Sequence, residues 1–414
     1  SHYHPHQEAH MPKKPPTQRQ ARDRMDRLLA IVAVSIIVLA WLIGPLLSPD
    51  ADYDCRDKIF PEANQCREIS RGTFEALKTE DGKETLLGWA RIAEAPGYAG
   101  PITVMVGVNP AGEIFGVDIL DESETPAYLR LVEDNTYLED FQGIPANSAL
   151  QLGIDVDAVT SATYTSKGIL EAAREASYEI AESQLSLDVP REPAAVEFGL
   201  PEIILIALFA VGFVAHRGGF PYKKVFRWAS MLTGMVFLGF VYNSPVTIAH
   251  FNSLLLGYWP DWHTNLYWFL LMGGMFFVVT VDGKNPYCQW FCPFGAAQEC
   301  LGAIGGAKTW LPRQGRFWLE WAKRGLALSA IVIGLLFRNP GISSYEIFGA
   351  LFSFNAVGLQ WTILIIILLT SLFVRRPWCN FLCPVDPIVD LIFAGRRWIR
   401  QGVLTWKKRS AQAQ

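Results

Sequence analysis

Charged side chains are scarce. Asp, Glu, Lys and Arg make up 18% of 414 residues, against roughly 25% in soluble domains, and half of the chain is hydrophobic. This excludes a disordered polypeptide and argues against a wholly soluble one. Cysteine is scarce too: seven residues are too few for a disulfide scaffold. Acidic residues are nearly missing from the long apolar runs, Glu202 being the nearest, so an ion-pump pathway lined by intramembrane carboxylates is poorly supported. Basic residues sit in short loops beside apolar runs rather than in an aromatic-laced groove, which argues against nucleic acid as a partner.

What charge there is divides unevenly. Between Asp50 and Glu197 there are 29 acidic and 11 basic residues, and the remainder of the chain is basic. An acidic insert in a basic, apolar frame predicts two environments on either side of a membrane. Residues 1–27 read as a polar tail, with His2, His4, His6 and His10 open either to metal or to the plainer reading of a disordered or appended segment. Leu28–Leu47 has about the ~20 residues a bilayer demands. It is longer than a signal-peptide core and no Ala-x-Ala site follows, so it reads as an anchor. Further candidate spans are Leu200–His216, Trp228–Ile248, Leu266–Val281, Leu326–Phe337 and Ala356–Val374.

The expectation is therefore a membrane protein: a six-helix transmembrane bundle with an extracytoplasmic α/β (α+β) domain inserted between the first and second spans. Lys13 and Lys14 precede the first span, Arg217, Lys223, Lys224 and Arg227 follow the second, Lys284, Lys308, Lys323 and Arg324 lie between the fourth and fifth, and Arg375 and Arg376 follow the sixth. The positive-inside rule then puts both termini in the cytoplasm of a bacterial inner membrane and the acidic segment in the periplasm. The expected division is 1–27 tail, 28–47 anchor, 48–198 extracytoplasmic domain, 199–395 transmembrane domain and 396–414 basic tail. Within the acidic segment, Leu86–Ala93 and Ile102–Val108 read as strands. Asn109–Gly112 reads as a turn, with Ile114–Leu120 as the returning strand. Ile169, Leu170, Ala173, Ala176 and Ile180 make a helical stripe over Ser166–Ser183, and Pro190 and Pro193 mark a linker.

A repeated cysteine pattern carries the strongest chemical signal: Cys288-Gln-Trp-Phe-Cys292-Pro293 and Cys379-Asn-Phe-Leu-Cys383-Pro384. Each follows the cytoplasmic end of a span, with Pro and an aromatic before it. Cysteines four apart share a helical face, so each pair can offer two thiolates to one centre. Four thiolates suit a [4Fe-4S] cluster. Zinc or buried structural thiols are the rival readings. Cys300 reads as a buried hydrophobe. Cys55 and Cys66 could form a disulfide on an oxidising face or remain free. A second signal is Asp157-Ala-Val-Thr160-Ser161-Ala162-Thr163, rich in hydroxyls and opening a helix, which is either an N-cap or a place for a phosphate.

Asp157-x-x-Thr160-Ser161-Ala162-Thr163 resembles the flavinylation motif of NqrC/RnfG-type FMN-binding domains, in which FMN is joined by a phosphoester to the last threonine. That resemblance implies covalent FMN on Thr163, with Thr160, Ser161, Ala162, Glu124 and Thr125 as flavin contacts. Pro96–Pro101 and Glu124-Thr125-Pro126 resemble further parts of the same domain, while Ser161 and Ala127 stand where glycine is usual. The order of FMN domain, spans and two C-x3-C-P motifs resembles the NosR/NapH type of membrane iron–sulfur flavoprotein, which usually carries a further ferredoxin-like domain.

The resemblance implies transmembrane electron transfer between a cytoplasmic-side [4Fe-4S] centre, held by Cys288, Cys292, Cys379 and Cys383, and a periplasmic flavin that supplies a periplasmic redox acceptor protein. A separate cytoplasmic or membrane electron donor and a flavin transferase for maturation are the further partners it implies. A hydrocarbon core ~30 Å thick is far for one tunnelling step, which calls for a relay: a bound quinone, a partner's cofactor or a dipping FMN domain. His250 and His263, among Tyr258, Trp259, Trp262 and Trp268, read as an aromatic belt or as a quinol or haem site. The alternative functions are a redox sensor that regulates expression or assembly without sustained turnover, and a metal-free interaction scaffold.

Overall fold

The computed structural model describes residues 18–47, 53–191, 196–215, 221–283, 285–308, 313–356 and 358–412. The histidine-rich start, Pro193, His216, Arg217 and Lys284 lie outside these residues. The acidic segment folds as a five-stranded antiparallel meander, β1 (Gln65–Ser70), β2 (Thr73–Glu80), β3 (Lys83–Pro96), β4 (Pro101–Val108) and β5 (Ile114–Glu122), in sequential order. Asn109 turns the chain between β4 and β5: its Oδ1 accepts from the N–H groups of Ala111 and Glu113, and Gly112 takes φ +86°. Asp81 and Gly82, both at positive φ, make the two-residue turn between β2 and β3, a conformation that Asp-Gly favours.

One face of the sheet is closed by α4 (Thr163–Ser183), which lays Ile169, Leu170, Ala173, Ala176 and Ile180 on β3 and β4. The small residues on that stripe let the helix sit close to the sheet: a Cβ at Gly168 would lie 2.8 Å from the Pro96 carbonyl oxygen. The opposite face is closed by Ile59 and Phe60 after α2 (Cys55–Lys58). The Cys55–Cys66 disulfide ties this element to β1. With strands and helices segregated, the domain is α+β.

The rest of the described chain is helical. Two helices are long and apolar enough to cross a membrane: α1 (Gln18–Leu47), through Arg24–Leu47, and the run Lys223–Val241. The latter joins α6 (Lys223–Thr233) to a π-helical stretch, Gly234–Val241. Three apolar helices are shorter: α5 (Leu200–Ala215), α8 (Leu266–Asp282) and α12 (Gly358–Ser371). The expected fifth span is the apolar half of α10 (Arg313–Leu336), whose first turns carry Arg, Glu and Lys. The expected third span begins and ends earlier than Trp228–Ile248. Ser244 N–H bonds back to Leu238 O, Asn243 takes φ +44°, and Pro245 follows, so the helix ends before α7 (Ile248–Leu256) begins. The apolar helices keep much of their side-chain surface outward: Ile203, Phe277, Ile366 and Leu369 are all more than half exposed.

The two parts are packed together. Tyr128 O–H donates to Asn243 O, Lys167 Nζ to Thr264 O at 2.6 Å, and Asn339 Nδ2 to Glu122 O at 2.6 Å.

Candidate functional site

The two cysteine motifs fold alike. After α8, residues Tyr287–Phe291 make a single π turn, and the N–H of Cys292 reaches the carbonyl of Tyr287 at 2.8 Å. In the second motif, α13 (Pro377–Phe381) ends with the N–H of Cys383 on the carbonyl of Trp378 at 2.9 Å. In both, the second cysteine bonds back five residues to the aromatic that precedes the first. Both then open a helix, α9 (Pro293–Gly305) and α14 (Val385–Gln412). Pro293 stands at the first position of α9, where its missing N–H costs nothing. The prolines therefore stand at helix starts.

The helix starts are aimed at sulfur. Cys292 Sγ receives the N–H groups of Phe294 and Gly295, and Cys383 Sγ those of Val385 and Asp386. Exposed amides at a helix N-terminus, with its dipole, favour a thiolate over a thiol. The first cysteines are held by amide side chains. Asn285 Nδ2 donates to Cys288 Sγ at 2.9 Å, and Gln298 Nε2 approaches Cys379 Sγ at 3.6 Å while its Oε1 accepts from Trp378 N–H.

All four thiols lie in one another's electrostatic reach. Among the described residues, no three of them fall within 4.8 Å of one another, whereas a tetrahedral zinc with Zn–S of about 2.3 Å would draw its thiolates to roughly 3.8 Å. Four thiolate donors brought to one place suit an iron–sulfur centre. Cys300 stands apart, beside Glu299.

Glu299 is a hub. Its carboxylate takes Arg227 Nη2 at 2.6 Å, Arg376 Nε at 3.0 Å and Arg375 Nη2 at 3.1 Å, which staples α6, α9 and the approach to α13 around the cysteines. Burial pushes its pKa up, but these guanidiniums outweigh that and hold it below the usual range. Arg376 Nη1 also donates to Cys288 O at 2.7 Å. Asp386 pairs with the buried Lys323. A cavity of about 480 Å³ opens here, lined by Arg227, Arg375 and Arg376 around Glu299, and by Gln289 and Asn380, the residues that follow the first cysteine of each motif.

In the sheet domain, Thr163 is exposed at the first position of α4, with Thr160 exposed just before it. The hydroxyl-rich N-cap does not form. The cap position is Ala162, no side chain caps the helix, and the Ser166 hydroxyl instead accepts from Val159 N–H at 3.2 Å. That leaves the start of α4 without a side-chain acceptor, which fits a bound phosphate. Ser161 takes φ +68°, a conformation that favours glycine, and its carbonyl accepts from Asn243 Nδ2 at 3.1 Å.

Glu124 is buried. Its carboxylate accepts from the N–H groups of Tyr98, Ala99 and Thr125 and so clamps the Pro96–Pro101 loop. Burial pushes its pKa up to about 7. Thr125 caps α3 (Pro126–Asp134) by position only, and its Oγ1 is buried without a partner. A buried hydroxyl without a partner is one that a bound ligand could satisfy. His250 is also buried: Thr247 N–H donates to its Nδ1 at 3.2 Å, and burial lowers its pKa to about 4, so it is neutral. His263 pairs with Asp261 at 2.8 Å.

Comparison with known proteins agrees with this division. Residues 97–177 match the FMN-binding domain family, and residues 264–312 and 358–401 match the 4Fe-4S binding domain family, each of the latter segments holding one cysteine motif. YccM of Escherichia coli, whose name assigns it to electron transport, is 31% identical over 157 residues, covering 34% of this chain and 42% of that protein. Protein NirI of Paracoccus denitrificans is 24% identical over 234 residues, 51% of this chain and 34% of its own length. The methylamine utilization ferredoxin-type protein MauN of the same organism is 32% identical over 136 residues, 30% of this chain and 43% of its own. The matches thus cover less than half of each relative. The chain combines an FMN-binding domain with a 4Fe-4S binding domain, and this pairing supports electron transfer.

Proposed function

We propose that the chain carries electrons across a bacterial cytoplasmic membrane. A [4Fe-4S] cluster would be held by Cys288, Cys292, Cys379 and Cys383 on the cytoplasmic side, and FMN by a phosphoester to Thr163 on the periplasmic side. The observation that carries this reading is the seating of the Thr163 end of the FMN-binding domain on loops of the helical part that holds the cysteines, through Asn243–Ser161 and Lys167–Thr264. Two redox sites in one packed body serve transfer between them.

When bound, the cluster and the flavin supply electron exchange. The protein's own part is to present four thiolates, to aim helix amides at two of them, to leave the Thr163 hydroxyl accessible and to exclude water from the contact between domains. Six crossings by α1, α5, α6, α8, α10 and α12, with residues 48–198 outside and 396–414 inside, agree with the outward apolar faces and the basic loops. NosR-type proteins suggest a periplasmic reductase as the acceptor. The basic cavity beside Gln289 and Asn380 offers a separate acidic donor protein a landing next to the cysteines.

The test is a pair of variants in membranes. Thr163→Val is expected to remove covalent flavin, read by mass spectrometry of the peptide, and to leave iron intact. Cys379→Ser is expected to lose the iron–sulfur EPR signal and to keep flavin. Purified protein in liposomes should then sustain electron flux only when both centres are present. Flux that stops after one equivalent per centre would favour a sensor instead.

A further inference from the structure

Among the contacts between the two halves of the molecule, one peptide group leads from the FMN-binding domain towards the cysteines. Tyr98, in the Pro96–Pro101 loop of the FMN-binding domain, donates its hydroxyl to the carbonyl oxygen of Pro245. The N–H of that same peptide, on Val246, donates to the hydroxyl of Tyr287 at 2.8 Å. Tyr287 immediately precedes Cys288, and its carbonyl accepts from Cys292 N–H at 2.8 Å. At the other end, the Tyr98 ring lies 6.2 Å from that of Tyr164, the neighbour of Thr163. Val246 and Tyr287 are each 1% exposed, so the path is dry.

We propose that Tyr98, the Pro245–Val246 peptide and Tyr287 form the bridge through which electrons tunnel between the four-cysteine centre and the flavin. This rests on the function proposed above. Two phenols and one amide take the place of a full bilayer crossing, so neither a quinone nor a dipping domain is needed as relay. For each electron passed, the iron–sulfur centre changes by one oxidation equivalent and the flavin by one in the opposite sense. The tyrosines and the peptide are bridging medium and are neither oxidised nor reduced. The two hydrogen bonds run one way, from Tyr98 through the peptide to Tyr287, so each polarises the next.

Three conservative variants test this in the full protein loaded with iron and flavin. Tyr98→Phe is expected to slow flavin reduction at least tenfold in single-turnover photoreduction, with iron content, flavin content and cluster potential unchanged. Tyr287→Phe is expected to slow transfer similarly and to keep its iron and flavin. Tyr137→Phe, whose hydroxyl bonds Ser166 O off the path at 2.9 Å, is expected to transfer at the parent rate. Unchanged rates in Tyr98→Phe, or an equal slowing in Tyr137→Phe, would overturn the bridge. If the parent protein itself passes no electrons between its centres, the proposed function fails rather than the route.

Discussion

A carboxyl group shut away from water keeps its proton unless a cation or enough donors compensate. Glu124 has three backbone N–H donors and no cation, and burial still holds its pKa near 7. Its surroundings add to this: Glu122 lies beside it and raises its pKa further. The sign follows from linkage. The folded state binds this proton more tightly than the unfolded one, so the clamp is fully stable below about pH 4.5 and weakens as pH rises towards 7. A displacement from 4.5 to about 7 is on the order of 3 kcal/mol. Glu124→Gln is expected to lower the thermal midpoint, because Thr125 N–H loses its acceptor, but to flatten its fall between pH 4.5 and 7. Midpoints read by flavin fluorescence in detergent would check this, and an undiminished slope would show that Glu346, also raised to about 7 by burial, dominates. At this scale the sequence was only partly legible. Glu124 was expected near the flavin because of where it falls in a motif, but its burial depends on a loop folding over it. Ser161 was visible as a departure from glycine, and its left-handed backbone shows what glycine would relieve.

Elements explain why the cysteines converge. The C-x3-C spacing was legible and suggested one helical face. What forms instead is a wider π turn closed on Tyr287 and its counterpart on Trp378. That geometry, and the helix starts aimed at Cys292 and Cys383, depend on contacts between segments distant in sequence. Gly234 is such a contact: a Cβ there would lie 2.3 Å from the Phe291 carbonyl oxygen. Gly234→Val is expected to cost about 1–3 kcal/mol by overpacking and to displace the first cysteine turn, so iron content falls several-fold while flavin on Thr163 is retained. Gly273→Ala in α8, with nothing within 4 Å of its Cβ, should keep its iron. Equal iron in both would remove Gly234 from the support of the site. Elsewhere at this scale, β3, β4, β5 and α4 were legible from alternation, turn and stripe. Strands β1 and β2 were not read, although Asp81-Gly82 is a strong signal for the β2–β3 hairpin. The end of the third apolar helix was misplaced because Val246 and Ile248 continue its apolar run past Asn243 and Pro245.

The whole molecule separates two kinds of sulfur. The acidic domain holds a disulfide, Cys55–Cys66, and the described helical part holds five free thiols, four of them gathered at one site. A disulfide persists where the medium oxidises, and thiolate centres where it does not, so the sorting of cysteines agrees with the sorting of charge. Both follow if the apolar helices form a barrier between the acidic domain and the basic loops. The remaining step is to show which face each side meets. Glu84, exposed on β3, and Arg400, exposed on α14, mark the two sides. With Glu84→Cys and Arg400→Cys made singly, a membrane-impermeant maleimide added to intact spheroplasts is expected to label the first at once and the second only after permeabilisation. Equal labelling of both would put the flavin domain and the basic tail in one compartment. The proposal of transfer across a membrane would then fall, while the packed pair of redox sites, and the peptide bridge between them, would still have to be explained as wiring within a single face.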